Sequence, residues 1–220
     1  MKIQIPDVTL LAVSSIKIDE TIKALQKSCE GIDFGAVKII THERPENLSE
    51  SIVFEECPEL KCIDDYNLYV FKYLTNHVNT SHCLLVQYDS WVLNPELWNN
   101  RWLEWDYCGA PWPVVENSYM ANDGTRALQG NGGFSLRSKK ICELPSKMKW
   151  ELREEQGWKN EDGNICCYWR KEMLENGIKY APVNVSSIFS YENPVIENNF
   201  GRIKTFGFHR NIPRYQIKYE

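Results

Sequence analysis

The stretch HCLLVQYDSWVLNPELW, residues 82–98, joins a short apolar run to a carboxylate. The run Cys83–Val86 is apolar throughout, which is the pattern of a strand buried on both faces of a sheet. It ends at Gln87, Tyr88 and Asp89. Because a core strand has no need of a charged residue, we expect the Asp89 carboxylate to bind something at the end of this strand.

Strands and helices alternate on the N-terminal side of this stretch. The sequence predicts strands over 8–15 and 36–41, a short strand and turn over 52–60, a helix from an Asp19 cap to about 28, and a helix from an Asp65 cap to about 77. Such alternation is typical of a parallel sheet, whose ligands bind outside the carboxyl ends of the strands. Polar residues stand at three such ends: Ser14, Ser15, Thr41, Gln87, Tyr88 and Asp89.

The composition predicts one globular domain with no general affinity for nucleic acid. The chain has 220 residues, of which 43% are apolar, and its net charge is −5. We find neither an apolar run of about 20 residues that spans a bilayer nor a signal-like N-terminus, so we expect a cytoplasmic protein without a transmembrane segment. The eight cysteines are then expected to stay reduced. The sequence contains no C-x-x-C pair, the spacing that would indicate a zinc site.

Two common nucleotide-binding motifs are missing from the sequence. No G-x-G-x-x-G follows the first predicted strand, and G-x-x-x-x-G-K-[ST] occurs nowhere. We therefore do not expect dinucleotide binding of the NAD type or P-loop chemistry.

Four features of the chain each allow a structural and a functional interpretation. Asp89 is either a turn or cap residue or a ligand of a hard divalent cation. Residues 130–133, Gly-Asn-Gly-Gly, form a tight turn or let the backbone approach a ligand closely. Glu161 and Asp162 begin a predicted helix that runs to about 176 before Gly177, and they complement its dipole or supply a general base. His209 is a packed histidine or a metal ligand.

Together these segments resemble a known family more specifically than any of them does alone. The ordered set LLVQYDSW, DYCGAPW, GNGGFSLRSKK, ED and FGFH resembles a family of small bacterial and viral glycosyltransferase-like proteins. It is also similar to the wider GT-A, fringe-like class of nucleotide-sugar glycosyltransferases. The resemblance implies an α/β fold: one GT-A-type, Rossmann-like domain over 1–220, with a mixed, mostly parallel sheet flanked by helices. Residues 1–110 would form the nucleotide-binding half and 111–220 the acceptor half.

The resemblance also implies roles for individual residues. Asp89 and His209 would bind Mn²⁺ or Mg²⁺, although Gln87 replaces the first carboxylate of the D-x-D motif of that class. Asp162 would be the catalytic base, with Glu161 as the second candidate. Contacts to the nucleotide sugar would come from Gln87, Tyr88, Ser14, Ser15, Thr41, Asp65 and Asn67. Contacts to the sugar or the acceptor would come from Trp112, Asn131, Gly132, Gly133 and Arg137.

The function implied is transfer of a sugar from a nucleotide-sugar donor, a UDP-sugar, to a hydroxyl of a glycan or another acceptor. A bound metal would stabilise the leaving diphosphate, and a single base aligned for in-line attack would invert the anomeric centre. Two alternatives stay open. A nucleotidyltransferase also uses metal-binding carboxylates, and a non-catalytic carbohydrate-binding or nucleotide-sugar-binding module would explain Gln87.

Overall fold

A computed structural model describes residues 1–116, 118–154 and 159–216. The strands are β1 Ile3–Val13, β2 Ile32–Thr41, β3 Val53–Glu56, β4 His82–Val86, β5 Ser90–Val92, β6 Tyr107–Cys108, β7 Ala110–Pro111, β8 Gln129–Gly130, β9 Phe134–Ser138, β10 Ser190–Tyr191 and β11 Gly207–His209. The helices are α1 Ile18–Ser28, α2 Ile63–Tyr73, α3 Lys139–Lys147, α4 Glu161–Gly163, α5 Arg170–Glu175 and α6 Val183–Phe189.

The main sheet has six strands in the order β3-β2-β1-β4-β9-β6. The first four are parallel, whereas β9 runs antiparallel to both β4 and β6. The fold is therefore mixed α/β with a mixed sheet flanked by helices, and the predicted parallel half is confirmed. The strand order reverses between β1 and β4, the point at which open α/β sheets bind their ligands.

Alternate residues of β1 and β4 enter two separate cores. Leu11 and Leu85 join the cluster that contains residues of α2 and α3. Leu10 and Leu84 point the other way, into a cluster with residues of α1 and α6. Both faces of the sheet are therefore covered, which explains why the run Cys83–Val86 is apolar without a break.

A second, three-stranded sheet has the order β10-β11-β5. Strand β5 follows directly after Gln87–Asp89, so the chain passes from the main sheet into the small sheet at this turn. In the antiparallel pairing of β5 with β11, Ser90 is the register partner of His209. The pairing therefore carries a histidine from the far end of the chain to the end of β4.

Three predicted helix boundaries need correction. Helix α1 begins at Ile18 after Lys17 in the left-handed region (φ 48°), so Asp19 lies in its first turn and does not cap it. Helix α2 begins at Ile63, two residues before Asp65, and ends at Tyr73; residues 74–77 are 3₁₀-helical. The single helix predicted over 161–176 is three segments: α4, a π-helical turn over 164–168, and α5.

One other local prediction, the glycine at a helix end, is confirmed. Gly177 follows the end of α5 with φ 73°, the left-handed conformation in which glycine ends helices. All eight cysteines are free thiols. Among the described residues, no helix combines the length and the apolar character needed to cross a membrane.

We expect Gly207→Ala to separate the two sheets locally. A Cβ at this residue of β11 would lie 2.0 Å from Cζ of Phe134 on β9. Such overpacking costs about 1–3 kcal/mol of unfolding free energy, measured by urea denaturation. Gly163→Ala is the control, because its Cβ would lie 3.7 Å from Cε2 of Tyr168, an ordinary van der Waals distance. Equal stability of Gly207→Ala and the wild type would contradict the close packing of the sheets.

Candidate functional site

A pocket of about 510 Å³ lies beyond the carboxyl end of β4. Its lining comes from the start of α2, the end of β4, the glycine-rich turn before β9, the segment that begins at α4, and the end of β11. The residues are Ile63, Tyr66, Asn67, Gln87, Trp112, Ser118, Tyr119, Met120, Asn131, Gly132, Gly133, Asn160, Glu161, Asp162, Gly163, Cys167, Tyr168, Glu192, Asn193, His209 and Arg210.

His209 stands at the centre of a polar cluster on one side of this pocket. Its Nε2 atom lies 3.1 Å from Oε1 of Gln87 and 3.5 Å from Oδ1 of Asp89. Its Nδ1 atom lies 3.0 Å from Oε1 of Glu192. The two residues predicted as metal ligands, Asp89 and His209, are thus neighbours, and Gln87 joins them.

If the imidazole of His209 is neutral and its hydrogen is on Nδ1, the atoms that meet at Nε2 have no hydrogen to share. A carboxylate such as Glu192 accepts, so it draws the proton of a neutral imidazole to Nδ1 and leaves Nε2 as a lone pair. The Gln87 amide donates its Nε2 hydrogen to the Tyr66 hydroxyl at 2.7 Å, which turns its oxygen toward His209. The Asp89 Oδ1 atom is buried and accepts no hydrogen bond. Three acceptors therefore face one another, an arrangement that a cation or a second imidazole proton relieves.

Two distances in this trio can be compared with the ligand spacing of a metal site: Nε2 of His209 lies 3.1 Å from Oε1 of Gln87 and 3.5 Å from Oδ1 of Asp89. Neighbouring ligands of an octahedral Mg²⁺ ion lie about 3.0 Å apart, since each is about 2.1 Å from the metal. A histidine whose other nitrogen bonds a carboxylate, as His209 bonds Glu192, is the usual arrangement around a metal. Within the described ranges, no three His, Cys, Asp or Glu side chains group closely enough to hold a metal. A metal bound by Asp89 and His209 would therefore need a further ligand of another kind, and the Gln87 amide oxygen is the neighbouring candidate.

Two glycines make room for the side chains of the site. A Cβ on Gly133 would lie 2.2 Å from Nε2 of His209, and a Cβ on Gly132 would lie 1.9 Å from Oε1 of Glu161. The glycine-rich turn was predicted to let a ligand approach the backbone. In the structure, both glycines line the pocket, but the space that a Cβ would take is filled by His209 and Glu161.

Arg137 and Glu161 form a fully buried, bidentate ion pair. The two guanidinium nitrogens lie 2.8 and 2.9 Å from the two carboxylate oxygens, and the residues are 1% and 2% exposed. Arg137 was predicted to contact the sugar, but it lies outside the pocket lining. Both oxygens of Glu161 are occupied, which leaves Asp162 as the better candidate for a base.

Asp162 is held by two backbone amides at the edge of the pocket. Gly132 donates to Oδ2 at 2.9 Å and Gly163 donates to Oδ1 at 2.7 Å. Burial, followed by the neighbouring negative charge of Glu161, raises the pKa of Asp162 to about 6. A carboxylate with a pKa near neutrality is suited to accept a proton from a substrate hydroxyl.

Arg210 was not identified from the sequence. It is exposed, and among the described residues it is the only arginine or lysine in the pocket lining. Its φ is 60°, Asn211 donates across it to the carbonyl of His209 at 2.7 Å, and its own amide donates to the carbonyl of Asp89 at 3.1 Å. This is a γ-turn with positive φ, the strained form, and strain of this kind is concentrated at functional sites. In the sequence, the only feature that pointed to Arg210 was its position directly after His209.

The remaining predicted contacts divide into two groups. Asn67, Trp112 and Asn131 line the pocket. Trp112 stacks on Tyr119 with ring centres 4.4 Å apart, so one face of its ring is covered by protein. The others lie outside the pocket lining: Ser14, Ser15, Thr41, Asp65, Tyr88 and Asp89.

Several residues of this second group bond to the protein itself. Ser14 donates to the carbonyl of Ile16, Ser15 accepts from the amide of Leu60, and Asp65 accepts from the amide of Lys61. The Tyr88 ring lies 4.0 Å from the ammonium of Lys17. Ser14 and Ser15, which follow β1, therefore bond within the protein beside the pocket, and most of the lining comes from the second half of the chain.

The chain belongs to DUF5672, a family described as proteins of unknown function, which matches residues 51–209. The matched range contains every residue of the pocket lining except Arg210. No curated protein matches the chain.

We expect Arg137→Met to destabilise the protein strongly, because it leaves the buried Glu161 carboxylate without its partner. Breaking a buried ion pair costs about 3–5 kcal/mol of unfolding free energy, measured by urea denaturation. The double variant Arg137→Met/Glu161→Leu should recover most of this loss.

A surface pair provides the control for this prediction. Lys204 and Glu96 lie 3.8 Å apart with side chains 64% and 60% exposed, so Lys204→Met should cost less than about 1 kcal/mol. A loss no larger in Arg137→Met than in Lys204→Met would contradict the buried pair.

Proposed function

We propose that this protein is a glycosyltransferase of GT-A type, one domain that transfers a sugar from a nucleotide sugar to an acceptor hydroxyl. The observation that carries the proposal is the pairing of two chemistries in one pocket. On one side, Gln87 and His209 turn acceptor atoms toward the Asp89 carboxylate. On the other, Asp162 is a carboxylate whose pKa is raised to about 6. Its sheet, with a strand-order reversal at the strand that leads to Asp89, supports the same class.

Mn²⁺ or Mg²⁺ fits the first side. Asp89 Oδ1, His209 Nε2 and the Gln87 amide oxygen would hold the ion, with Glu192 fixing the imidazole from behind. The unpartnered Oδ1 atom of Asp89 is the feature that most needs such an ion. When bound, the ion neutralises charge on the departing diphosphate.

Asp162 takes the proton from the acceptor hydroxyl. The acceptor oxygen forms the new bond to the anomeric carbon, and the bond from that carbon to the diphosphate oxygen breaks, with its electron pair leaving on the nucleoside diphosphate. Gly132 and Gly163 hold the two carboxylate oxygens in place by their amides. A single displacement of this kind inverts the anomeric centre.

Arg210 would bind the diphosphate of the donor. Its backbone amide bonds the carbonyl of Asp89, which keeps the arginine beside the metal ligands. A guanidinium pairs with phosphate oxygens in a bidentate geometry. The arginine and the cation would therefore share the negative charge of the donor.

We expect Mn²⁺ to strengthen UDP binding at least about tenfold, a gain of about 1.4 kcal/mol. Asp89→Ala should abolish this gain, because it removes the only anionic member of the trio. Isothermal titration calorimetry of UDP in Mn²⁺ and in EDTA measures both effects. Asp65→Asn is the control and should keep the gain, since the Asp65 carboxylate accepts from the amide of Lys61 and is not a member of the trio. Equal UDP affinity in Mn²⁺ and in EDTA for the wild type would remove the metal from the proposal.

We expect Asp162→Asn to bind the donor normally but to react about 10²–10⁴ times more slowly, the usual contribution of a positioned base. Because a base must be unprotonated, the wild-type rate should fall about tenfold for each pH unit below the Asp162 pKa of about 6. Asp162→Asn should lack this acid limb. Release of UDP from UDP-sugars, with water in place of the acceptor, measures the rate until an acceptor is known.

The same assays separate the alternatives. Asp33→Asn, at a surface carboxylate paired with Lys2, should leave rate and pH profile unchanged. An unchanged rate in Asp162→Asn would show that the base is elsewhere. Donor binding without any hydrolysis or transfer by the wild type would favour a non-catalytic binding module, and release of pyrophosphate from a nucleoside triphosphate would favour a nucleotidyltransferase.

A further inference from the structure

Two buried amide side chains in the pocket lining have hydrogens without partners. Asn67 is 4% exposed and Asn131 is 2% exposed, and both line the pocket. In each of them the Nδ2 atom is buried and has no hydrogen-bond partner. Because a buried donor without a partner costs stability, two such groups in one pocket indicate a ligand that accepts from them.

The orientation of both amides is fixed by the backbone. The Oδ1 atom of Asn67 accepts from the amide of Glu161 at 3.3 Å, and the Oδ1 atom of Asn131 accepts from the amide of Gly133 at 2.8 Å. Exchanging oxygen and nitrogen in either side chain would bring two donors face to face. The free groups are therefore NH₂ groups, which only donate.

Both amides are tied to the immediate neighbours of Asp162. Asn67 bonds the amide of Glu161, the residue before Asp162. Asn131 precedes Gly132, whose amide donates to the Asp162 carboxylate. The pocket thus presents two donors and one anionic acceptor from the same small group of residues.

We propose that Asn67 and Asn131 bind the acceptor substrate beside Asp162, and that this acceptor is a neutral, hydroxyl-rich carbohydrate. Asn67 is thereby assigned to the acceptor, whereas the family resemblance implies that it contacts the nucleotide sugar. The proposal rests on the proposed function. A sugar offers hydroxyl oxygens to the two NH₂ groups and a hydroxyl hydrogen to the carboxylate. A phosphate or carboxylate group would also accept from the amides, but the neighbouring Asp162 carboxylate would repel it. A lone serine or threonine hydroxyl would leave one of the two donors without a partner.

Gln129 is a matched control within the same chain. Its Oε1 atom accepts from the amide of Gly109 at 2.8 Å, its Nε2 atom is buried without a partner, and it is 4% exposed. It is not part of the pocket lining. Removing its amide therefore reproduces the structural cost of the two variants below without touching the proposed acceptor site.

The experiment compares Asn67→Leu, Asn131→Gly and Gln129→Met. Glycine suits position 131 because φ there is 73°. The UDP-sugar that the wild type hydrolyses is offered with neutral disaccharides, with uronic-acid or sulfated saccharides, and with serine- or threonine-containing peptides. We expect transfer to a neutral disaccharide, with the acceptor KM raised about tenfold or more in Asn67→Leu and Asn131→Gly. The KM of the donor in hydrolysis should be unchanged, and Gln129→Met should match the wild type in both constants.

Circular dichroism melting establishes that each variant folds. If Asn67→Leu is unfolded, Asn67→Ser replaces it, because the serine hydroxyl can still accept from the backbone amide of Glu161. The proposal is overturned if the acceptor KM is unchanged in the two pocket variants, or if it rises equally in Gln129→Met. It is also overturned if the wild type hydrolyses the donor but transfers the sugar only to anionic saccharides or peptides, or to none of the acceptors. A wild type that neither binds UDP nor hydrolyses any UDP-sugar would instead overturn the proposed function, and this proposal with it.

Discussion

The buried ion pair of Arg137 and Glu161 is the constraint on which the candidate site depends. Arg137 projects from β9 in the main sheet, and Glu161 begins the short helix that carries Asp162, so the pair joins the sheet to the segment with the base candidate. Neither charged group is accessible to water, so each would be strongly destabilising without the other. Gly132 contacts both acidic residues. A Cβ at Gly132 would clash with the Glu161 carboxylate, and the backbone amide of Gly132 donates to the Asp162 carboxylate. The same negative charge of Glu161 helps raise the Asp162 pKa, which links the stability of the fold to the chemistry proposed for it.

The small sheet plays the corresponding role on the other side of the pocket. Pairing of β11 with β5 brings His209 back to the turn that follows β4, more than a hundred residues earlier in the chain. Gly133 admits the imidazole, and Glu192 fixes one of its nitrogens so that the other faces Gln87 and Asp89. With a neutral imidazole, the result is a group of acceptor atoms without a shared hydrogen, and this group is the observation behind the proposed cation site.

Polar groups without partners are informative here because of where they lie. Asp89 Oδ1 needs a cation or a proton, whereas the Nδ2 atoms of Asn67 and Asn131 need acceptors. In the proposed transferase, one side of the site would take a metal-bound anion and the other a molecule with hydroxyl oxygens. The range that matches DUF5672, residues 51–209, contains all of the pocket lining except Arg210. The strained turn at Arg210 adds a positive charge at the mouth of the same pocket.

The sequence by itself determined the local elements: the buried strand before Asp89, the parallel first half, and the left-handed helix end at Gly177. It also proposed Asp89, Asp162 and His209 as candidate site residues, although their meeting in one site was implied only by a family resemblance. Periodicity reports how each segment is buried, not which distant segment it pairs with, so it did not show that β9 is antiparallel to β4 or that a small sheet returns His209. Nor did it reveal that Arg137 is buried against Glu161, that the predicted helix after Asp162 is interrupted by a π-helical turn, or that Arg210 and Glu192 line the pocket. Only the tertiary structure decided these features, because each depends on contacts between residues far apart in the chain.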